Sequence, residues 1–436
     1  MSIETITLLM FGSLLGLLAL GLPVAFACGS VGIIFTALLQ GPSAVNLVST
    51  RIFGLMTNYL LASIPLFILM ASILERSGVI EDIYETVYQW LGALKGGVAT
   101  ATIAACTLMA AMCGVIGASE VTMGVIAFPQ MLKRGYDKYI AAGAILAGGT
   151  LGILIPPSVM LIVYGMVDNS SIGRLYAGAF MPGFLLASFY VIYVSIRCYL
   201  RPELGPPVPK EERMPLSGRI RLLGRLSGPG ILIFLVLGTI FTGIAAPTEA
   251  AGVGAAGAAI MAAFQRRITW RGAVQATEST IKATAMVMWT MFGANIFVGL
   301  YVMIGGGKFV EDLLMGSGLG PWTIIIIINL ILVFLGFFID WVGIIMLCVP
   351  IFGTVIRKLG FDPIWFGVLF TVNMQISFLS PPFGYALFYL KGVAPPEIDT
   401  FTIWRAAVPF MGLQVLGLIC CMVWPGIILW LPSLFY

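Results

Sequence analysis

Apolar residues run almost end to end through this chain, and that pattern fixes the solvent its fold must face. The clearest runs lie near 5–22, 24–39, 97–116, 140–154, 176–199, 229–246, 250–264, 283–304, 322–339, 341–356, 364–379 and 406–431. Shorter pieces near 58–75, 118–132, 157–167 and 382–390 have the length of hairpin arms or half-helices. Only 10% of residues are charged and mean hydropathy is +1.04, whereas a soluble domain carries roughly 25% charged residues. Strand-like alternation at barrel spacing is absent. At roughly 20 residues per span, the sequence predicts an all-α integral membrane protein with about eleven crossings, give or take two. Met1-Ser2-Ile3-Glu4 has no basic region and no cleavage site follows, so a retained first helix is expected there.

Two proline pairs interrupt this apolar text. Gly135-Tyr136-Asp137 and Gly360-Phe361-Asp362 are each followed, nineteen residues after the Asp, by Pro156-Pro157 and by Pro381-Pro382. Proline lacks an N–H and clashes with the preceding turn. In hydrocarbon the freed carbonyls find no water, so a broken helix survives only inside protein or beside a polar cavity. Matched interruptions in two halves point to the ion and substrate site of a transporter. Aligned backward, Phe128-Pro129 meets Val349-Pro350, the basic pairs Lys133-Arg134 and Arg357-Lys358 correspond, and Ser119 falls opposite Asp340. Ser77-Gly78 with Glu81-Asp82 likewise faces Gly306-Gly307 with Glu311-Asp312. Whether the halves are parallel or inverted depends on the parity of crossings, which hydropathy leaves open.

Charge marks the boundary between halves. Seven basic residues lie between Arg197 and Arg225 against three acids, with Pro202, Pro206, Pro207, Pro209 and Pro215 among them. Residues 201–228 read as a basic, proline-rich linker on the cytoplasmic side. It joins membrane repeats at 1–200 and 229–436. Spans on both sides argue against nucleic-acid binding as the reason for the basic cluster. The chain has no histidine, which excludes a histidine proton relay or a His-ligated metal; its seven cysteines lie in or at the ends of apolar runs without metal-ligand spacing.

Gly252-Val253-Gly254-Ala255-Ala256-Gly257 matches the dinucleotide fingerprint, but no strand precedes it, so close helix packing is the reading. Gly305-Gly306-Gly307-Lys308 lacks the first glycine of a phosphate loop. Glu249 reads as an acid favoured at a helix start, and Asn169-Ser170-Ser171 as a helix-connecting turn. Around Ser119, Glu120 and Thr122, hydroxyls and a carboxylate sit in apolar sequence: either Ser119 caps a helix, or the stretch offers the oxygens hard cations prefer. Glycines 148, 149 and 152 lead to the first proline pair. Asn373, Gln375, Ser377 and Ser380 crowd the approach to the second, a costly set in a membrane unless partnered. Glu120 and Asp340 are the acids most readily placed within the membrane.

Ile153-Leu-Ile-Pro-Pro-Ser158, Phe128-Pro-Gln-Met-Leu-Lys-Arg-Gly-Tyr-Asp137, Ala246-Pro-Thr-Glu-Ala-Ala251, Ile64-Pro-Leu-Phe67, Asp362-Pro-Ile-Trp-Phe-Gly367 and Ser380-Pro-Pro-Phe-Gly384 resemble the large membrane subunit of tripartite ATP-independent periplasmic (TRAP) transporters. The resemblance runs from about residue 5 to the C-terminus. It implies two inverted repeats with re-entrant hairpins, and an elevator-type transport domain moving against a scaffold domain. Further implications are coupling to Na+, an organic acid substrate delivered by a periplasmic binding protein, a small four-helix membrane subunit, and a place in the bacterial inner membrane, with no enzymatic chemistry. With none fused ahead of Met1, the small subunit is expected as a separate chain. The implied sodium ligands are Ser119 with backbone at Gly152, Leu154 and Pro156, and Asp340, Gln375, Ser380 and Gly384 in the second half. Glu120, Thr122, Ser158, Asn373, Ser377 and Pro381 are the substrate-facing candidates. Where many members read Gly-Ser-Ser, this chain has Gly117-Ala118-Ser119-Glu120, which departs from the sialic-acid carriers. Two other readings remain: a stand-alone sodium–carboxylate symporter of the same architecture, and a membrane subunit of a proton-pumping enzyme. The latter needs a chain of buried ionisable residues that this sequence lacks.

Overall fold

The computed structural model describes every residue except Val115, Pro382 and Phe383, and the side chain of Ala118. The described residues form helices and connecting turns, with no strand among them. The first half runs α1 (Ile3–Ala19), α2 (Val24–Gln40), α3 (Asn46–Met56), α4 (Ser63–Arg76), α5 (Val79–Leu91), α6 (Gly97–Cys113), α7 (Ile116–Lys133), α8 (Lys138–Thr150), α9 (Val159–Asp168) and α10 (Ile172–Leu200). A short α11 (Leu216–Leu223) lies in the basic linker. The second half runs α12 (Ser227–Phe241), α13 (Pro247–Phe264), α14 (Trp270–Met303), α15 (Gly306–Met315), α16 (Pro321–Leu335), α17 (Trp341–Lys358), α18 (Pro363–Leu379), α19 (Tyr385–Val393) and α20 (Thr400–Val423), followed by a terminal α21 (Gly426–Phe435).

The two series match in order, with α14 doing in one piece what α3 and α4 do in two. Local chemistry repeats with them. Gly78 and Gly305 start the corresponding short helices α5 and α15 in the left-handed region, at φ 73° and 90°. Gly135 and Gly360 turn at φ 76° and 80°, conformations that cost a Cβ-free residue nothing. Asp137 and Asp362 then cap α8 and α18, each accepting two backbone N–H bonds. Packing is exchanged between repeats: α2 lies on α14 and α13 on α4, α7 lies on α19 and α17 on α9. Such crossed pairs are what a pseudo-twofold axis produces.

Register follows the helices rather than the prolines. Both α7 and α17 have 18 residues, and they start 225 positions apart, as do Asp137 and Asp362. Pro129 and Pro350 are 221 apart, so they kink their helices one turn out of step. Asp340 therefore corresponds to position 115, outside the described residues, and Ser119 corresponds to Ile344. The sequence pairing of Ser119 with Asp340 is displaced by that turn.

Among the described residues, six helical stretches are long and apolar enough to cross alone, α17 among them. α6 and α7 instead pack as a hairpin whose turn reaches only the break between α8 and α9: Val159 N–H bonds Gly114 O at 3.4 Å. The hairpin thus returns to the face it came from, and α8 and α9 together make one crossing. Each repeat then crosses five times (α1, α2, α4, α8–α9 and α10 in the first), an odd number, so the second is inverted. Runs near 97–116, 322–339 and 341–356, read as full spans from hydropathy, pack as hairpin arms, while 58–75, read as a hairpin arm or half-helix, is a 3-10 turn continued by α4, together long enough to cross. Hydropathy measures burial from water, and a hairpin arm inside the bundle is as dry as a span.

The basic linker fixes one face. Arg134 pairs with Glu212, and Asp82 pairs with both Arg225 and Arg267. The ends of α5, α7, α10 and α13 therefore share this face, cytoplasmic by its positive charge. The opposite face carries the ion pairs Arg357–Asp168 and Lys358–Glu311. The Gly252–Gly257 run is packing, as read: a Cβ on Gly254 would lie 2.7 Å from Met70 Sδ, and one on Gly257 2.5 Å from Leu232 Cδ1. Glu249 accepts a bond of 2.9 Å from Ala246 N–H at the start of α13. Asn169, at φ 54°, ends α9, and Ser171 caps α10.

Candidate functional site

Each repeat brings a hairpin turn against a broken crossing in the middle of the bundle. In the first, α8 ends at Thr150 and tightens into a 3-10 turn, Leu151–Ile153, before the proline pair. Ser158 then caps α9, its Oγ donating to Ile153 O and accepting from Leu161 N–H at 3.3 Å. That leaves the backbone between them exposed to no water and short of partners. Among the described residues, no hydrogen bond reaches the carbonyls of Gly152, Leu154 or Pro156, although all three residues are buried. The 3-10 turn touches α6, α7 and α18, so both repeats meet at the turn. Glycine is required at the hairpin turn: Gly114 sits at φ 64°, and a Cβ there would lie 2.5 Å from Pro157 O.

Ser119 lies inside the first turn of α7, which begins at Ile116, so it is not the cap. Among the described residues its Oγ has no partner, and neither carboxylate oxygen of the fully buried Glu120 has one. Glu120 lies over Gly149 of α8, where a Cβ would come 2.9 Å from its Oε1. Thr122 is half-buried one turn beyond Ser119.

In the second repeat Asp340 caps α17, accepting from Gly343 N–H at 3.3 Å. On α18, Asn373 Nδ2 donates to Asn329 Oδ1 at 2.8 Å and to Asn329 O at 3.0 Å, leaving its own Oδ1 without a partner. Ser377 Oγ is also unpartnered and lies over Gly336 of the hairpin turn. Ser380 Oγ donates to Ile376 O at 2.6 Å, and Ser380 O accepts from Gly384 N–H at 2.9 Å. Pro381 is half-buried; its partner in the second proline pair, Pro382, lies outside the described residues.

Gln375 is placed differently from the other candidates. Its Oε1 accepts from Thr150 Oγ1 at 3.2 Å, across the repeats and away from the hairpin contact made by Ser377. Sequence reasoning missed the groups that meet it there, and it also missed Asn329. Tyr389 of α19 was missed as well: a Cβ on Gly117 would lie 3.3 Å from its ring, so the first hairpin touches the second repeat there. A half-exposed tyrosine one turn past a break was the available signal.

Two helix breaks, each closed by a hairpin in an inverted bundle of crossings, with buried oxygens beside each that have no bond among the described residues, are the architecture of a membrane carrier. The sequence matches the family described as "Tripartite ATP-independent periplasmic transporter, DctM component" over residues 11–427, and the chain belongs to that family. It is 31% identical to the C4-dicarboxylate TRAP transporter large permease protein DctM of Vibrio cholerae, covering 98% of this chain and 97% of that protein. It is 29% identical to the sialic acid TRAP transporter large permease protein SiaM of the same organism, covering 97% of each. Among solved structures, the YdaH transporter of Alcanivorax borkumensis superposes with a TM-score of 0.63 at 14% identity, covering 95% of this chain and 98% of that one. That likeness is one of fold.

Proposed function

We propose that this chain is the permease of a sodium-driven importer in the bacterial inner membrane, taking up a small organic acid handed over by a periplasmic binding protein. The observation that carries the reading is the set of unbonded oxygens at the first break. Among the described residues no hydrogen bond reaches the carbonyls of Gly152, Leu154 or Pro156, and none engages Ser119 Oγ on the hairpin arm packed against that turn. Hard cations take oxygen ligands of this kind, and the zero-histidine composition leaves no competing metal chemistry. In the second repeat, Ser380, Gly384 and the Asp340 carboxylate supply the matching oxygens. Gln375 Oε1 already accepts from Thr150 Oγ1, and the Ser380 and Asp340 oxygens are likewise engaged, so an ion here takes their remaining lone pairs.

Substrate lies between the two breaks, where Thr122, Asn373, Ser377 and Pro381 border the hairpins, with the N-terminus of α9, capped by Ser158, adding a positive dipole end for a carboxylate. Glu120 holds its place against Gly149 behind them. Transport proceeds by movement of the hairpin-bearing helices against α1–α4 and α12–α14, as an elevator. The family's tripartite make-up supports a small membrane subunit and a periplasmic binding protein as partners, and the two relatives named above carry carboxylic acids by name.

Uptake into proteoliposomes holding this chain and its small subunit, with and without the binding protein, tests the reading. Uptake requiring both the binding protein and a sodium gradient is expected. Uptake by the membrane chains alone would favour a stand-alone symporter, and a proton gradient sufficing without sodium would remove the ion assignment. Ser119→Ala and Ser380→Ala are expected to weaken sodium dependence while thermal unfolding moves little, since the first hydroxyl has no partner to lose and the second bonds only its own helix.

A further inference from the structure

Thr150 and Gln375 are 225 positions apart, the separation that relates Asp137 to Asp362 and the start of α7 to the start of α17. They are the same position in the two repeats, and they touch. A residue that contacts its own repeat counterpart lies on the pseudo-twofold axis. Each also lies about one turn before its helix breaks, at Leu154 and at Ser380. Any shift of one break relative to the other therefore passes through this contact.

The contact is enclosed by polar groups from the two helices that follow the breaks. Gln414 of α20 donates from Nε2 to Thr150 Oγ1 at 3.3 Å. Tyr190 of α10 stands beside both, and among the described residues its hydroxyl, Gln375 Nε2 and Gln414 Oε1 make no hydrogen bond of good geometry. All four residues are fully buried. Polar groups buried so deeply among apolar helices are costly unless they bond one another, and packing alone would be served better by leucine. The threonine hydroxyl is the hub: it accepts from Gln414, and its one hydrogen is shared between Gln375 Oε1 at 3.2 Å and Ala147 O of its own helix at 3.0 Å.

We propose that Thr150, Gln414 and Tyr190 are positioning residues that couple the two break sites, holding α8 and α18 in mutual register so that the oxygens of both sites are set together. This rests on the ion-site reading above. The coupling should appear in ion and substrate half-saturation, not in maximal rate or in folding.

Thr150→Val keeps the branched shape and deletes the hydroxyl; Thr150→Ser keeps the hydroxyl. In proteoliposomes with the small subunit and binding protein, Thr150→Val is expected to raise the sodium half-saturation about fivefold, the worth of one net hydrogen bond, with maximal rate and melting temperature little changed. Thr150→Ser should stay within about twofold of wild type, and Gln414→Leu should reproduce the valine effect without adding to it in the double variant. A folded Thr150→Val with wild-type half-saturation would overturn the proposal. So would a serine variant as impaired as the valine one, or loss of the folded protein in both Thr150→Val and Gln414→Leu, which would make the cluster a packing feature. A wild type indifferent to sodium would fail the ion reading instead, and the coupling would then be read on substrate half-saturation by the same criteria.

Discussion

At both breaks a polar side chain lies over a glycine, but the two repeats assign the parts in opposite ways. In the first, the hairpin arm α7 carries the polar group, Glu120, and the broken crossing supplies Gly149. In the second, the broken crossing carries Ser377, and the hairpin turn supplies Gly336. The close approach is common to both sites, while the chain segment that provides it has been exchanged. Each solution lets a hairpin press on a helix without a Cβ between them. The first buries a carboxyl, the second only a hydroxyl, and the space demanded differs accordingly. The hairpin bases differ too. Arg357 at the base of the second reaches a nearly fully buried Asp168, whereas Arg134 at the base of the first meets a half-exposed Glu212.

The first glycine is where the comparison breaks most visibly. Gly149→Val drives new carbons into the Glu120 side chain, and overpacking of so closed a site should cost about 4 kcal/mol or more. Loss of monodisperse protein in detergent is the expected outcome, with recovery in Gly149→Val/Glu120→Ala, which clears the space. A single variant that folds and melts like wild type would show that α7 and α8 do not press together as described. Arg357→Gln comes next. It strands the buried Asp168 carboxylate, which otherwise accepts from Arg357 at 2.6 Å and from Ser170 Oγ. Removing one partner of such a pair costs about 3 kcal/mol, read as a fall in melting temperature that Asp168→Asn should partly offset.

Gly336→Ala sharpens the contrast from the other side. The added methyl would overlap both Oγ and Cβ of Ser377; rotation clears only the hydroxyl, so the hairpin turn must shift away from α18, and about 2–3 kcal/mol is expected. Ser377→Ala by itself should be close to neutral, since its hydroxyl has no partner. An effect of Gly336→Ala equal to that of Gly149→Val would show that the two sites are equally tight.

The same exchange explains what the sequence revealed and what it hid. Membrane class, the two breaks and the repeated motif at 135–137 and 360–362 were legible, because each depends on a run or a motif local to one segment. The oxygen-rich approaches to both breaks were legible for the same reason. Hairpin arms were not separable from crossings, because both are dry. The Ser119–Asp340 pairing went astray because proline kinks are easy landmarks but need not keep register, and here they are one turn apart. Gly149 under Glu120, and Thr150 against Gln375 with Gln414 and Tyr190, could not be read at all. Their partners lie 29 to 264 positions away and share no spacing, only a place in the fold.

The smallest expected effect is also the one that tests the inverted assignment of faces. Arg134 and Glu212 join the base of the first hairpin to the basic linker, yet Glu212 is 53% exposed and the pair stands in water beside other cations. Exposed pairs contribute about 1 kcal/mol or less, and salt screens them. Arg134→Gln should therefore lower the melting temperature only slightly, and by less in high salt. The hairpin base stays attached through backbone bonds from Gly96 N–H to Gly205 O at 2.8 Å and from Asp137 N–H to Leu204 O at 3.0 Å, which the substitution leaves in place. If Arg134→Gln proved as costly as Arg357→Gln, the pair would have to be shielded from water. The linker face would then be covered by protein or lipid rather than lying open to the cytoplasm.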